Sequence, residues 1–188
     1  MRYTWVLLAT TVASCGAAIP FWTKDYAQSV TTHNYADVTP AQALQAAKTV
    51  ITLAASPHNA DFTDRTDGFE AHRYFTGISG MTPLTGDYVF QVTATAAGRG
   101  SILTVNIRDD SQYDSIAFPD VSISPTSYSG GPIQVRSPYD LFFARVDALL
   151  GKRKDWVTCA AAPAALNATI GLDSLCRNAR DAAPSPKG

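Results

Sequence analysis

The segments DYVFQVTAT (residues 87–95) and SILTVNIR (101–108), separated by a stretch that contains AGRG (97–100), decide the fold. In each segment apolar side chains alternate with threonine or other polar side chains, which is typical of a strand with one buried face and one face in water. The two glycines between the segments interrupt this pattern and favour a reversal of the chain. The sequence therefore predicts an antiparallel hairpin.

A second hairpin is predicted directly before the first. The dipeptide Asp67-Gly68 favours a tight hairpin turn, and it separates Phe62 from the run of residues 69–75. A further strand is predicted at 120–124, and the glycine-rich stretch 127–132 is predicted to be a loop. The middle of the chain thus predicts an antiparallel sheet of about four to six strands.

Helices are predicted before and after these strands. Residues 39–42 (TPAQ) combine an N-capping threonine, a proline at the first helical position and a glutamine that can complete a capping box. Apolar residues then recur at helical spacing as far as Ala54. Residues 137–140 (SPYD) have the same kind of start, with serine as the cap, and Gly151 is the predicted end of that helix.

The order helix, antiparallel strands, helix predicts an α+β domain. We expect both the N-terminal and the C-terminal helix to pack on one face of the sheet. This arrangement resembles, in element order alone, the helix-grip domains of BamC-like envelope lipoproteins. A single domain is predicted over residues 39–181, and residues 182–188 are predicted to be a disordered tail.

The N-terminus has the layout of a secretory signal peptide, with an early arginine, an apolar stretch of about ten residues and then small residues. A helix that spans a membrane needs about twenty apolar residues, so this stretch is too short to be one. Residues 12–15 (VASC) resemble the lipobox of bacterial lipoproteins. That resemblance implies that the signal peptide, residues 1–14, is removed and that Cys15 is lipidated. The alternative is an ordinary secreted protein cleaved near residues 17–18.

The same resemblance implies a location. An aspartate directly after the lipidated cysteine often marks retention in the inner membrane; Gly16 stands there, which implies the outer membrane and a periplasm-facing domain. Residues 15–38 are expected to be the lipidated N-terminus and a tether, although the pair Phe21-Trp22 suits the membrane surface itself. The expected partners are the membrane, through the lipid, and other envelope proteins.

The remaining cysteines, Cys159 and Cys176, form an even pair in a chain with an export signal, which is the setting in which disulfides persist. We expect them to be bonded, and the alternative is two free thiols. The bridge would hold a second C-terminal helical segment, which the sequence predicts over residues 164–181.

Composition and charge limit the classes of partner. Apolar residues make up 46% of the chain, enough for a packed core. The formal net charge of −1 becomes −2 when residues 1–14 are removed, because Arg2 is the one charged residue among them. Such a chain has no basic field for phosphate backbones, so we expect no nucleic-acid partner.

Catalytic and metal-binding motifs do not emerge from the sequence. Residues 77–81 (GISGM) approach a nucleophile elbow, but methionine stands where that motif needs glycine, so a turn between strands is expected. Acidic residues recur every three positions from 61 to 70, whereas a calcium loop places its acids two apart. The three histidines, His33, His58 and His72, are scattered and are expected to face solvent. No catalytic residue, metal site or cofactor is predicted.

Aromatic residues on or just after the last helix leave two functions open. Tyr139, Phe142, Phe143 and Trp156 are expected to pack in the core; the alternative is a hydrophobic binding groove between helix and sheet. Core packing fits a non-enzymatic envelope lipoprotein that serves as a structural, assembly or protein-binding accessory. A groove fits a periplasm-facing carrier of a small hydrophobic ligand. A closed interior favours the accessory, and an apolar cavity of several hundred cubic ångströms favours the carrier.

Overall fold

The computed structural model describes residues 21–55, 59–79, 82–113, 126–168, 170–177, 179 and 181. Within these ranges the helices are α1 (Lys24–Thr31), α2 (Pro40–Ala54), α3 (Ser137–Leu149), α4 (Ala162–Ala165) and α5 (Asp173–Cys176). The strands are β1 (Thr32–Tyr35), β2 (Ala60–Arg65), β3 (Gly68–Ser79), β4 (Thr82–Ala97), β5 (Gly100–Tyr113) and β6 (Thr126–Pro132). All six belong to one antiparallel sheet, which confirms the predicted α+β class.

The central hairpin is the one that the alternating segments predicted. β4 and β5 pair along their length, with Phe90 opposite Ile107 and Val92 opposite Val105. The chain reverses at Gly98, which has a positive φ of 58° that glycine adopts without strain. The strand order is β1-β5-β4-β3-β2, and β6 pairs with the second half of β5, on the same edge as β1.

The second hairpin is also present, but its turn lies one residue earlier than predicted. Thr66 and Asp67 form the turn, and Gly68 is already the first residue of β3, paired with Arg65. A side chain at Gly68 would come within 1.9 Å of the carbonyl oxygen of Val92. Glycine is therefore needed here because β4 approaches closely, rather than for a turn conformation.

Two of the predicted connecting segments are wrong. The glycine-rich stretch 127–132 lies in β6 rather than in a loop, and residues 77–79 of the expected turn at 77–81 belong to β3, which continues to Ser79. In both places backbone pairing with a neighbouring strand overrides the local preference of glycine. Pro132 at the end of β6 fits, since an edge strand does not need every N–H. The strand predicted at 120–124 lies outside the described residues.

Helix α2 begins as predicted. The backbone N–H of Gln42 donates to Thr39 Oγ1 at 3.3 Å, and the N–H of Thr39 donates to Gln42 Oε1 at 2.9 Å, which completes a capping box. The helix ends at Ala54 and buries a face made mostly of small residues against β4 and β5. Alanines on this face, such as Ala43 and Ala47, let the helix axis approach the sheet closely.

The start of helix α3 differs from the prediction, and its end agrees with the prediction. Ser137 is the first helical residue rather than the cap, and Arg136 in the cap position instead bonds Asp140, with its Nε 3.0 Å from Oδ2. Gly151 has a positive φ of 69°. The N–H of Lys152 donates to the carbonyl oxygen of Asp147 at 2.8 Å, so the helix closes with a Schellman motif, as glycine there predicted.

The hydrophobic core lies between one face of the sheet and the helices. α2 contacts β3, β4, β5 and α3, and the Tyr139 hydroxyl of α3 lies 3.4 Å from the backbone nitrogen of Ile107 in β5. The two long helices therefore pack on the same face, as predicted. None of the helices in the described ranges is long and apolar enough to cross a bilayer.

The predicted tether is wrong for residues 21–38, because this segment is part of the domain. α1 and β1 lie before Thr39, and β1 pairs with residues 101–104 of β5. Tyr35 is buried at the end of β1, and Trp22 packs against Tyr139 with a ring separation of 5.7 Å. The segment is polar because β1 is an edge strand with exposed middle residues. Residues 15–20 lie outside the described part of the chain.

The C-terminal region also differs from its predicted helix over 164–181. Two single-turn helices, α4 and α5, occur in this region, and Gly171 between them has a positive φ of 80° that ends helical structure. The predicted disulfide is confirmed, since Cys159 and Cys176 are bonded with Cα atoms 5.6 Å apart. The predicted tail, 182–188, lies outside the described residues.

Removing the disulfide is expected to destabilise the domain. The bridge closes a loop with a sequence separation of 17 residues, so Cys159→Ala with Cys176→Ala should lower the free energy of unfolding by about 3 kcal/mol. Urea unfolding of oxidised protein measures this loss. Reduced wild type serves as the control and should lose a similar amount; an unchanged unfolding midpoint in both samples would show that the bridge contributes nothing.

Candidate functional site

The face of the sheet opposite the helices carries a group of polar and charged side chains. In β3, Phe69, Ala71 and Phe75 point to the core, so the residues between them point away from it. The register places polar residues of β4 and β5 beside them. We call this surface the outer face and define it by eight residues: Arg65, Glu70, His72, Tyr74, Asp87, Gln91, Asn106 and Arg108.

His72 lies at the centre of a hydrogen-bonded network on the outer face. Its Nδ1 lies 2.5 Å from Asp87 Oδ2, and its Nε2 lies 3.3 Å from Glu70 Oε1. Glu70 Oε2 in turn accepts hydrogen bonds from Arg65 Nη2 and Gln91 Nε2, each at 3.0 Å. These five residues, which we call the His72 network, join β2, β3 and β4. Two carboxylates, an arginine and an imidazole are thereby held in fixed positions.

The network favours the charged form of His72. Partial burial alone would lower the pKa of His72, but the hydrogen bonds and charges of Asp87 and Glu70 outweigh burial and raise it. The pKa of Glu70 is lowered, first by the hydrogen bond from Gln91 and then by His72 and Arg65. A protonated His72 can donate from both ring nitrogens, one to each carboxylate. The site therefore binds a proton more readily than an isolated histidine does.

The geometry of His72 suits the holding of a positive charge, because both ring nitrogens face carboxylates. A general base needs a ring nitrogen that can reach the proton of a substrate, and here both nitrogens already face carboxylates. Asp87 and Glu70 lie on opposite sides of the ring and so do not converge on one point. Within the described ranges no group of three His, Cys, Asp or Glu residues is arranged to hold a metal ion.

Only part of this site could be predicted from the sequence. His72 was expected to face solvent, but its side chain is 32% exposed and bonded on both sides. His33 keeps a half-exposed side chain whose ring lies tilted against Phe143 at 4.8 Å, and His58 lies outside the described residues. The spacing of Glu70 and His72 on one strand could have indicated that they share a face. Asp87 joins them only through the register of β3 with β4.

The acidic residues of positions 61–70 do not gather at one point. Asp64 pairs with Lys48 of α2, whose Nζ lies 3.4 Å from its Oδ1, on the core-facing side of β2. Glu70 pairs with Arg65 on the outer face. Asp64 and Glu70 thus have separate partners on opposite sides of the sheet, as expected for acids on strands that pair across a turn.

The residues of the alternative hydrophobic groove lie in packed contacts. Tyr139, Phe142 and Phe143 are buried in the core; the Tyr139 hydroxyl donates to the carbonyl oxygen of Ile133 at 3.0 Å. Phe142 and Phe143 contact each other edge to face at 5.4 Å. Trp156 is partly buried with its ring 5.0 Å from the guanidinium of Arg145. Core packing, rather than an open groove, describes these four side chains.

Two buried arginines form hydrogen bonds with the C-terminal segment, and neither role was predicted from the sequence. Arg73 in β3 donates to the carbonyl oxygens of Ala54, Asp173 and Arg177, and burial lowers its pKa to about 10. Arg145 in α3 donates to the carbonyl oxygen of Val157 at 2.9 Å. A charged residue on the apolar side of an element was the available signal, because such a residue needs buried partners.

The carboxylate of Asp181 completes this second cluster. Arg145 Nη2 donates to Asp181 Oδ1 at 2.7 Å, and the backbone N–H of Cys159 donates to Asp181 Oδ2 at 2.7 Å. The ion pair and the disulfide thus fix the same stretch of chain. These contacts bind protein groups to one another, so we assign them a structural role and keep the outer face as the candidate site.

Comparison of the chain with models of protein families, with curated proteins and with solved structures found no match.

The stability that His72 contributes is expected to depend on pH. Because its pKa is raised in the folded state, the contribution is complete below the unfolded pKa of about 6.5 and is lost as the pH rises through the folded value. His72→Gln should therefore cost more stability at about pH 5.5 than at about pH 8.5. Urea unfolding at both pH values measures this. Asp87→Asn should reduce the difference, and an equal cost at both pH values contradicts the prediction.

Proposed function

We propose that this chain is a non-enzymatic, lipid-anchored accessory protein of the bacterial cell envelope that binds other proteins through the outer face of its sheet. The observation that carries the proposal is the contrast between the two faces. The inner face is filled by packed side chains, including Phe90, Leu103 and Phe142, which solvent does not reach. The outer face instead presents fixed polar and charged groups.

A packed inner face argues for this function over that of a ligand carrier. A carrier needs an apolar space between helix and sheet, and aromatic side chains occupy that place. Tyr139 also ties α3 to β5 and to Ile133 through its hydroxyl, which restricts separation of the helix from the sheet. We therefore retain the accessory role and do not propose a carrier.

The outer face suits a protein partner of mixed charge. Arg65 and Glu70 form one ion pair, and Arg108 pairs with Asp110 of the same strand at 3.6 Å. Positive and negative groups thus alternate across neighbouring strands, which favours a partner with a complementary pattern over a uniform polyanion. His72 lies between them, and its hydrogen bonds hold the two carboxylates at set positions before any partner binds.

The lipid anchor is proposed from the lipobox-like residues 12–15 (VASC). Cys15→Ser is expected to leave the precursor unprocessed and without labelled fatty acid in cells fed a radioactive fatty acid. The double variant Cys159→Ala with Cys176→Ala is the matched control, and it should retain the label. Label that persists in Cys15→Ser contradicts lipidation at that residue.

Site-specific photo-crosslinking in intact cells tests the partner surface. A photoreactive amino acid at Asn106, which is exposed on β5 opposite Gln91 of the outer face, is expected to capture a defined envelope protein. The matched control is Gln45, an exposed polar residue of α2 on the helical side of the molecule, which should not capture it. Arg65→Glu, which reverses one exposed charge, should weaken capture from Asn106 several-fold. Equal capture from both positions, or no capture from Asn106, contradicts the proposed surface.

A further inference from the structure

We propose that the domain also rests on the bilayer, through an aromatic–basic patch made of Phe21, Trp22, Lys24, Tyr26 and Arg136. The patch lies where the chain enters α1, and its proposed occupant is the phospholipid headgroup interface of the membrane that holds the lipid of Cys15. The inference rests on the proposed lipidation, and it adds an orientation of the domain relative to the membrane.

The patch has two exposed aromatic rings, and a third, partly buried ring connects it to the rest of the domain. Phe21 is 84% exposed and Tyr26 is 43% exposed, so both rings are open to contact from outside the domain. Trp22 is partly buried and contacts Tyr26 edge to face at 5.3 Å. Its backbone N–H donates to Gln134 Oε1 at 3.1 Å, which fixes it to the segment before α3. The rings of Trp22 and Tyr26 are therefore held in place by contacts with the domain.

Basic side chains flank these rings. Lys24 is exposed in the first turn of α1, and Arg136 keeps a side chain that is 63% exposed beside Tyr26. Aromatic rings together with lysine or arginine are the combination that membrane–water interfaces favour, because the rings lie among the headgroups and the cations reach phosphates. Asp25 and Asp140 offset the two positive charges, so burial of the rings, rather than net charge, is the main attraction.

The length of chain between the lipid and the patch makes contact with the bilayer favourable. Phe21 follows Cys15 by six residues, and six extended residues span at most about 20 Å. The headgroup layer on each side of the hydrocarbon core is itself about 5–8 Å thick. A lipid on Cys15 would therefore keep Trp22 close to the headgroups. At such a high effective concentration even a weak contact of Phe21 with the interface is occupied most of the time.

This orientation is compatible with the proposed partner surface. α1 contacts β1, β5 and α3, so the patch is on the helical side of the molecule. The outer face lies on the other side of the sheet from α3. A domain that rests on the membrane through the patch consequently leaves the outer face available to a protein partner.

Spin labelling of the full-length acylated protein tests the patch. The protein is reconstituted in vesicles of phosphatidylethanolamine and phosphatidylglycerol, with a nitroxide label on Asp25→Cys, which keeps all five patch residues. An introduced cysteine is the sole free thiol, because Cys159 and Cys176 are bonded and Cys15 is expected to be acylated. Tyr74→Cys, an exposed position on the outer face, is the control. Collision with a water-soluble nickel complex should be several-fold lower for the label at 25 than for the label at 74.

Three possible results distinguish the proposed bilayer contact of the patch from the proposed lipidation of Cys15. If the patch is correct, adding Phe21→Ser to Asp25→Cys raises nickel collision at position 25 towards the value at 74, while the protein still floats with the vesicles. Floating protein whose label at 25 is as accessible as the label at 74 overturns the patch and leaves lipidation intact. Protein that lacks acyl chains by mass and does not float overturns both.

Discussion

Replacing Arg145 by leucine is expected to lower the free energy of unfolding by about 3–4 kcal/mol. The side chain of Arg145 is 1% exposed, and its loss leaves Asp181 Oδ1 and the carbonyl oxygen of Val157 without their arginine donor, while Asp181 Oδ2 keeps the N–H of Cys159. Breaking a buried ion pair costs more than its attraction alone, because the remaining group keeps its desolvation penalty. The side chain of Asp181 is 24% exposed, so water recovers part of that penalty.

Arg136 provides the matched control, because it is an arginine at the other end of the same helix. It pairs with Asp140 at 3.0 Å, but its side chain is 63% exposed and that of Asp140 is 34% exposed, so water solvates the pair. Arg136→Leu should therefore cost about 0–1 kcal/mol. Denaturant unfolding of both variants and wild type measures the contrast. Equal losses for the two substitutions would contradict the role given to burial at Arg145.

Phe142→Ala is expected to lower the free energy of unfolding by about 4 kcal/mol. Phe142 is completely buried, and it lies between α3 and the sheet against Phe143. Truncation removes the apolar contacts of the ring and leaves a cavity that the packed neighbours fill only in part. Phe142→Leu keeps most of the volume and should cost about 1–2 kcal/mol.

Phe21→Ala is the control for this substitution, because Phe21 is exposed and should contribute close to nothing to the stability of the domain in solution. Thermal and urea unfolding of the three variants measure the series. A fully tolerated Phe142→Ala would mean that the space between helix and sheet is loosely filled. That result would favour a ligand carrier over a protein that acts through its surface.

The elements that could be predicted from the sequence are those whose signal is local. The alternation along β4 and β5 predicts strands because each side chain is placed by the strand alone. The capping box at Thr39 predicts the start of α2 for the same reason, since every atom of that motif lies within four residues.

The elements that were missed depend on distant partners. β1 is short and polar, and pairing with residues 101–104 of β5 makes it a strand. β6 is rich in glycine and takes its extended form from its pairing with the second half of β5. Neither partner is visible in the local pattern, because register is a property of the folded sheet.

The candidate site also contains features that the sequence predicts and features that depend on distant partners. The i, i+2 spacing of Glu70 and His72 on one strand follows from the sequence, whereas the approach of Asp87 follows from cross-strand register. Arg73 and one nitrogen of Arg145 donate to backbone carbonyls, which no residue type identifies, and the pairing of Arg145 with Asp181 joins residues 36 positions apart. The pairing of Cys159 with Cys176 was predictable because the resemblance of residues 12–15 to a lipobox implies a different role for Cys15, which leaves an even pair.

The mass of the N-terminal peptide of the mature protein, isolated from the envelope fraction, tests the proposed function most directly, because the anchor and the orientation both depend on it. We predict that the first residue is Cys15 and that it carries covalently attached acyl chains. A mature chain that begins after Cys15, or one whose Cys15 is unmodified, would contradict lipid anchoring and with it the bilayer contact of the aromatic–basic patch.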